Sequence, residues 1–168
     1  MPSDIAKLIA SLREYYRTQP DKACAPDSPA TAILEDGLRC RVDSGEMSVL
    51  TDMPEGVGGG ASAPSPGWFL RAAVASCAAA AIAMRAAECG IELDELKVRV
   101  ESDSDNRGLL GMGDASAALM EARIVVRICA PHASADEIDE LVAWADAHSP
   151  VGESLRHAVS VRTTLELV

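Results

Sequence analysis

Aromatic residues are scarce in this chain: two Trp, two Tyr and one Phe make up 3% of its 168 residues. So few flat rings leave little on which to stack nucleobases. Positive charge is also short, with 15 Lys and Arg against 26 Asp and Glu and a formal net charge of −11. That field repels the phosphates of nucleic acid and of anionic membrane surfaces before any contact forms, so neither is an expected partner. The five cysteines, Cys24, Cys40, Cys77, Cys89 and Cys129, are odd in number and include no C-x-x-C pair. A disulfide framework and a zinc site are thereby disfavoured, and thiols kept reduced in a cytoplasm are the expectation. There is no G-x-G-x-x-G frame, phosphate-loop ending or hydrolase elbow, so no cofactor and no metal are expected. The N-terminus carries Asp4 and Lys7 within an amphipathic pattern, not a basic flank and an apolar run, and reads as no secretory signal.

What is present centres on one stretch, Pro66-Gly67-Trp68-Phe69-Leu70-Arg71-Ala72-Ala73-Val74-Ala75-Ser76-Cys77 and onward to Cys89-Gly90. Pro66 suits a first helical turn, alanine is the best helix former, and Gly90 stands where a helix reverses into a left-handed cap. One long helix is predicted. Between Ala72 and Ala87 almost nothing polar interrupts the small apolar residues, and a helix apolar nearly all round is a buried one. Arg71 and Arg85 lie inside the window and alanine is weakly hydrophobic, which favours a core helix over a membrane span.

Around this helix the chain divides into an N-terminal appendage, residues 1–30, and a main domain, residues 31–168. Ile5, Leu8, Ile9, Leu12, Tyr15 and Tyr16 fall at helical spacing, with Ser3 or Asp4 as cap, before a proline-bearing connector over 19–30. Thr31 to Val42 reads as a strand, Ser44-Gly45 as a turn and Met47 to Thr51 as the returning arm, which places Arg39 and Arg41 on one face. Residues 52–65 hold four glycines and read as a flexible connector. Leu96 to Val100 and Leu119 to Ala130 alternate as strands, and Asp103 to Asp114 is a solvated turn lacking the acidic residue that closes a calcium loop. Ser134 and Glu137 form a capping box ahead of a helix ending near Ser149-Pro150. A helical turn through Glu153 to His157 follows, then a last strand with Val159, Val161, Thr163, Leu165 and Leu167 alternating. The fold class is α+β, an antiparallel sheet wrapping a long central helix. One small sheet covers one side of so apolar a helix, so a second copy of the chain is expected to cover the rest.

Chemistry is sparse. The histidines, His132, His148 and His157, each read as solvated or structural, His148 at a helix end where a cation suits the dipole. What remains is the thiol of Cys77, which needs a nearby cation to draw out the thiolate, and Arg39 or Arg41 is available.

Two stretches together resemble the OsmC/Ohr family: Gly58-Gly59 through the Pro66 to Cys77 helix, and Ala147-His148-Ser149-Pro150-Val151 continuing to Ser154-Leu155. The resemblance covers roughly residues 31–168. It implies an intertwined α+β homodimer with active sites at the subunit interface, many members reducing organic hydroperoxides with paired cysteines. Cys77 matches the peroxide-attacking cysteine. The resolving cysteine of the family's Cys-Pro motif is replaced by Ser149, and the glutamate after the helix-opening proline by Gly67. Arg39 or Arg41 would be the activating arginine, with Ser149, Trp68 and Phe69 beside the substrate. Serine cannot form a disulfide with a sulfenic acid, so the two-cysteine cycle does not close through position 149. Cys89 lies twelve residues along the same helix, about 18 Å away by helical rise. Cys40 sits between the two arginines and points away from them.

Two functions follow. Either Cys77 attacks a small hydroperoxide and an external thiol or dithiol regenerates it, or the apolar interface cavity holds a hydrophobic small molecule and Cys77 is packing.

Overall fold

The computed structural model describes residues 4–157 and 159–167. Ser3, one of the two expected caps, and Val168 lie outside the described residues. The elements run α1 (Asp4–Thr18), β1 (Thr31–Asp36), β2 (Arg39–Ser44), β3 (Met47–Thr51), α2 (Pro66–Cys89), β4 (Glu95–Ser104), α3 (Asn106–Leu109), β5 (Leu119–Cys129), α4 (Ala135–Ala147) and α5 (Pro150–Arg156).

α2 begins and ends where its chemistry dictates. Ser65 caps it, accepting the Trp68 N–H, Pro66 occupies the first turn, and Gly90 closes it at φ 70°, its N–H on the carbonyls of Ala86 and Ala87. Packing against α2 comes mainly from β4 and α4. Ala81, Ile82 and Ala86 meet Leu141 and Ala145 there, ringed by Leu96, Val98, Val126, Ile128 and Trp144. The capping box that starts α4 is present: Glu137 N–H donates to Ser134 Oγ, and Ser134 N–H donates to the Glu137 carboxylate.

The helix is not buried all round within one chain. Val74, Ala78, Ala81, Ile82 and Ala86 are buried, whereas Ser76, Ala80 and Met84, spaced four apart on one stripe, are exposed. α2 is long and apolar enough by length and composition to cross a membrane, a test that core helices of soluble proteins also pass. α1 touches the far end of α2 through an Arg13–Glu88 ion pair and buries none of its own residues.

Two antiparallel sheets form, one of β1-β2-β3 and one of β4-β5. The stretch predicted as one strand over Thr31 to Val42 is instead broken by a two-residue turn. Asp36 pairs with Arg39 across Gly37-Leu38, and Gly37 adopts φ 55°, the positive value that tight hairpins require. The predicted last strand does not form among the described residues: 159–167 pair with none of β1 to β5, and Val161 is 85% exposed. A strand needs a ladder partner, and alternation alone does not supply one. The expected turn through Glu153 starts earlier, at Pro150.

The glycine-rich segment before α2 is organised, not a free connector. Asp52, 3% exposed, accepts hydrogen bonds from Met53 N–H at 2.7 Å, Gly60 N–H at 3.4 Å, Ser62 N–H at 3.0 Å and Ser62 Oγ–H at 2.8 Å. A Cβ at Gly59 would collide with the Met53 backbone.

Candidate active site

Cys77 lies at mid-length of α2 and is half-buried. Ser149, 3% exposed, is the N-cap of α5, and its Oγ accepts the Gly152 N–H at 3.3 Å. The same hydroxyl donates to Cys77 Sγ at 3.2 Å. With a lone pair committed to the backbone, its single proton is directed at the sulfur, an arrangement suited to a thiolate acceptor. A Cβ at Gly152 would sit 3.2 Å from Ser149 Oγ, so the bare glycine lets the turn close on the hydroxyl.

The other expected site residues stand apart from this pair in the single chain. Arg39 and Arg41 do share a face of β2, but they share it over Glu35: Arg39 Nε lies 3.6 Å and Arg41 Nε 3.3 Å from its carboxylate. Arg41 also pairs with Asp43, which with Glu35 raises the guanidinium pKa further. Arg39 Nε is buried without a hydrogen-bond partner. Among the described residues no hydrogen bond or ion pair joins either arginine to Cys77. Trp68 and Phe69 pack edge to face with centroids 5.0 Å apart. They lie eight or nine residues before Cys77, about 12–14 Å along the axis, and Leu70, seven before, is the upstream residue on the thiol's own stripe. A Cβ at Gly67 would meet nothing closer than Arg71 Nη1 at 3.8 Å, so there is room for a side chain at this position.

Every cysteine is a free thiol. Cys40 is half-buried on β2 opposite Leu34 and Thr51, and Cys24, Cys89 and Cys129 are exposed. Among the described residues no group of three or more His, Cys, Asp or Glu side chains gathers to hold a metal. The Asp105 carboxylate of the solvated turn pairs with Arg107.

The sequence places His148 at a helix end and Ser149 beside the substrate, but it does not announce the contacts made at this corner. His148 stacks on Trp144 with centroids 4.1 Å apart and an 8° interplanar angle, and the Arg85 guanidinium lies 5.0 Å from the same indole. A cleft of about 460 Å³ opens beside α2, lined by Ala78, Ile82, Ile124, Val126 and Val142 and edged by Asp139 and Asp146.

The family model for OsmC-like proteins matches residues 58–164, which takes in the organised loop, Cys77 and Ser149. The chain belongs to the OsmC family. Solved structures agree on the fold. An OsmC-like protein from Mycoplasma pneumoniae superposes with a TM-score of 0.68 at 20% identity, covering 80% of this chain and 91% of that one. An organic hydroperoxide resistance protein of OsmC type from Legionella pneumophila gives 0.62 at 21% identity, covering 79% and 91%. Another organic hydroperoxide resistance protein, from Elizabethkingia anophelis and carrying bound thiocyanate, gives 0.63 at 20% identity, covering 80% and 91%. No curated protein matches the chain. The matched segment begins at residue 58, so α1, its connector and the three strands β1 to β3 all precede it.

Proposed function

We propose that this OsmC-family chain reduces organic hydroperoxides through one cysteine, Cys77. The observation that carries the reading is the Ser149 hydroxyl aimed at Cys77 Sγ from 3.2 Å. In the reaction the thiolate sulfur attacks one peroxide oxygen. An S–O bond forms, the O–O bond breaks, and the leaving alkoxide takes a proton to become the alcohol, while Cys77 is oxidised to a sulfenic acid. An external thiol condenses with that acid, releasing water and forming a mixed disulfide. A second thiol reduces it, returning Cys77 and leaving the electrons' source as an external disulfide. A reducing cytoplasm suits turnover of this kind.

The functional unit is a homodimer. The exposed Ser76, Ala80 and Met84 stripe supports this, as does the unpaired segment 159–167. In that dimer the β2 arginines, Arg39 and Arg41, come to the thiol from the other protomer, with Trp68 and Phe69 lining the entrance.

Mass spectrometry after one equivalent of cumene hydroperoxide tests the chemistry. A single oxygen added at Cys77 and trapped by dimedone is the expected result; a Cys77 that stays reduced overturns it. The apolar cleft of about 460 Å³ favours a second reading, a carrier of hydrophobic small molecules. Saturable binding of a hydrophobic dye by a protein with an inert Cys77 would select that reading.

A further inference from the structure

The corner between α4 and α5 is closed by side chains. α4 ends by tightening: the His148 N–H turns to Ala145 O at 3.3 Å, one residue short of the helical partner. The Trp144 carbonyl is thereby left to the His148 ring, whose Nδ1 lies 2.7 Å from it. Facing a carbonyl, Nδ1 must carry the proton and donate. Further along α4 the Asp146 carbonyl accepts from Arg156 Nη1 at 3.0 Å, and Arg156 Nη2 donates to the Asp146 carboxylate at 2.5 Å. Two of the carbonyls that a helix end leaves unpaired are thus satisfied, one by the residue just before Ser149 and the other from α5, which Ser149 caps.

Neither side chain touches the sulfur. Both fix the backbone that carries the hydroxyl: His148 sets the exit of α4, and Arg156 ties α5 back to it. Trp144 extends the anchor into the core, because its indole carries the His148 ring and lies beside Arg85 of α2, the helix that bears Cys77.

The geometry points to His148 and Arg156 as positioning residues that hold the Ser149 hydroxyl on Cys77 and so set the reactivity of the thiol. This rests on the proposed role of Cys77 as the reacting group, but its test does not require peroxide. Alkylation of Cys77 by iodoacetamide, read peptide by peptide in the intact chain, reports the reactive thiolate directly. Losing one hydrogen bond to a charged acceptor in Ser149→Ala lowers the rate at neutral pH about tenfold. His148→Phe keeps a ring on Trp144 and removes the donor, and Arg156→Met removes the second tie; each lowers the rate several-fold. His148→Asn, which can still donate to the Trp144 carbonyl, stays near the wild-type rate. The double variant His148→Phe with Ser149→Ala reacts no more slowly than Ser149→Ala alone, because His148 acts only through the hydroxyl.

Wild-type rates in both His148→Phe and Arg156→Met, a loss that adds fully to that of Ser149→Ala, or no change in Ser149→Ala itself would each overturn the inference. Thermal melts show whether each variant is folded, and Arg156→Met supplies the answer if Phe at 148 is not tolerated. Wild-type protein that alkylates as described but ignores hydroperoxide would sink the peroxidase reading and leave this coupling standing.

Discussion

Cys77 Sγ and Ser149 Oγ meet at 3.2 Å across 72 positions of sequence, one from mid-helix and the other from a helix cap. A sulfur at position 149 would start within reach of Cys77, since a disulfide needs only a modest closing of that gap with suitably placed Cβ atoms. Ser149→Cys is therefore expected to form an intramolecular disulfide with Cys77 after one equivalent of hydroperoxide, the sulfenic acid condensing with the new thiol and releasing water. Non-reducing peptide mapping checks this. Dimedone-trappable sulfenic acid that persists in the variant would show that the two side chains are not held as described.

The Asp52 loop makes a prediction about acid. Its carboxyl is held below the ordinary carboxylate value because Ser62 donates through both its N–H and its hydroxyl, with Met53 and Gly60 adding backbone donors, against a smaller opposing effect of burial. A folded pKa below the unfolded one means that the stabilisation is fully present above about pH 5 and is lost as pH falls through the folded value. Asp52→Asn should melt several degrees lower than wild type at pH 7, and the two melting curves should converge as the pH approaches 3. Parallel melting temperatures across that range would remove Asp52 as the loop's organiser.

Gly59 and Gly56 offer a matched pair in the same loop. A Cβ at Gly59 strikes the Met53 backbone, which cannot swing aside as a side chain would, whereas a Cβ at Gly56 meets open space. Gly59→Ala is expected to cost about 1–3 kcal/mol, and Gly56→Ala to stay within about 0.5 kcal/mol of wild type. Urea titration of both variants measures the difference, and equal midpoints would refute the packing described.

How much of this was legible beforehand depended on how locally each feature is specified. Pro66, the alanine run and Gly90 delimit α2 within one stretch, and Ser134 with Glu137 announces α4 within four residues, so both were readable. The turn at Gly37-Leu38 is also local, but Ile33 and Leu34 on one side and Cys40 to Val42 on the other gave a run long enough to mask it. Asp52 draws its donors from residues up to ten positions away, and nothing in a carboxylate followed by glycines states that they converge. The strand pattern of 159–167 is genuine as a pattern, but pairing is a property of two segments, and the described residues of one chain provide no partner. The roles of His148 and Arg156 emerge only from how α4 ends, because a tightened last turn decides which carbonyls need a donor. Cys77 was the thiol that remained once other chemistry was set aside, Ser149 was picked out by family resemblance, and no spacing rule would have joined them.

The exposed face of α2 carries the last prediction. Met84 is 45% exposed in the single chain and shares its stripe with Ser76 and Ala80, so a charge there costs the isolated fold little. In the proposed homodimer the same stripe is covered by the second copy, and an unpaired carboxylate buried in that contact would cost several kcal/mol. Met84→Glu should therefore sediment as a monomer with near-wild-type helical content at concentrations where the parent chain sediments as a dimer. Met120→Glu, which puts the same charge on an exposed position of β5 and not on α2, should leave the assembly unchanged. If the arginines of β2 reach Cys77 only across that contact, the monomeric variant should also lose reactivity towards hydroperoxide without any change at Cys77, Ser149 or either arginine. A fully reactive monomer would show that one chain holds a complete site.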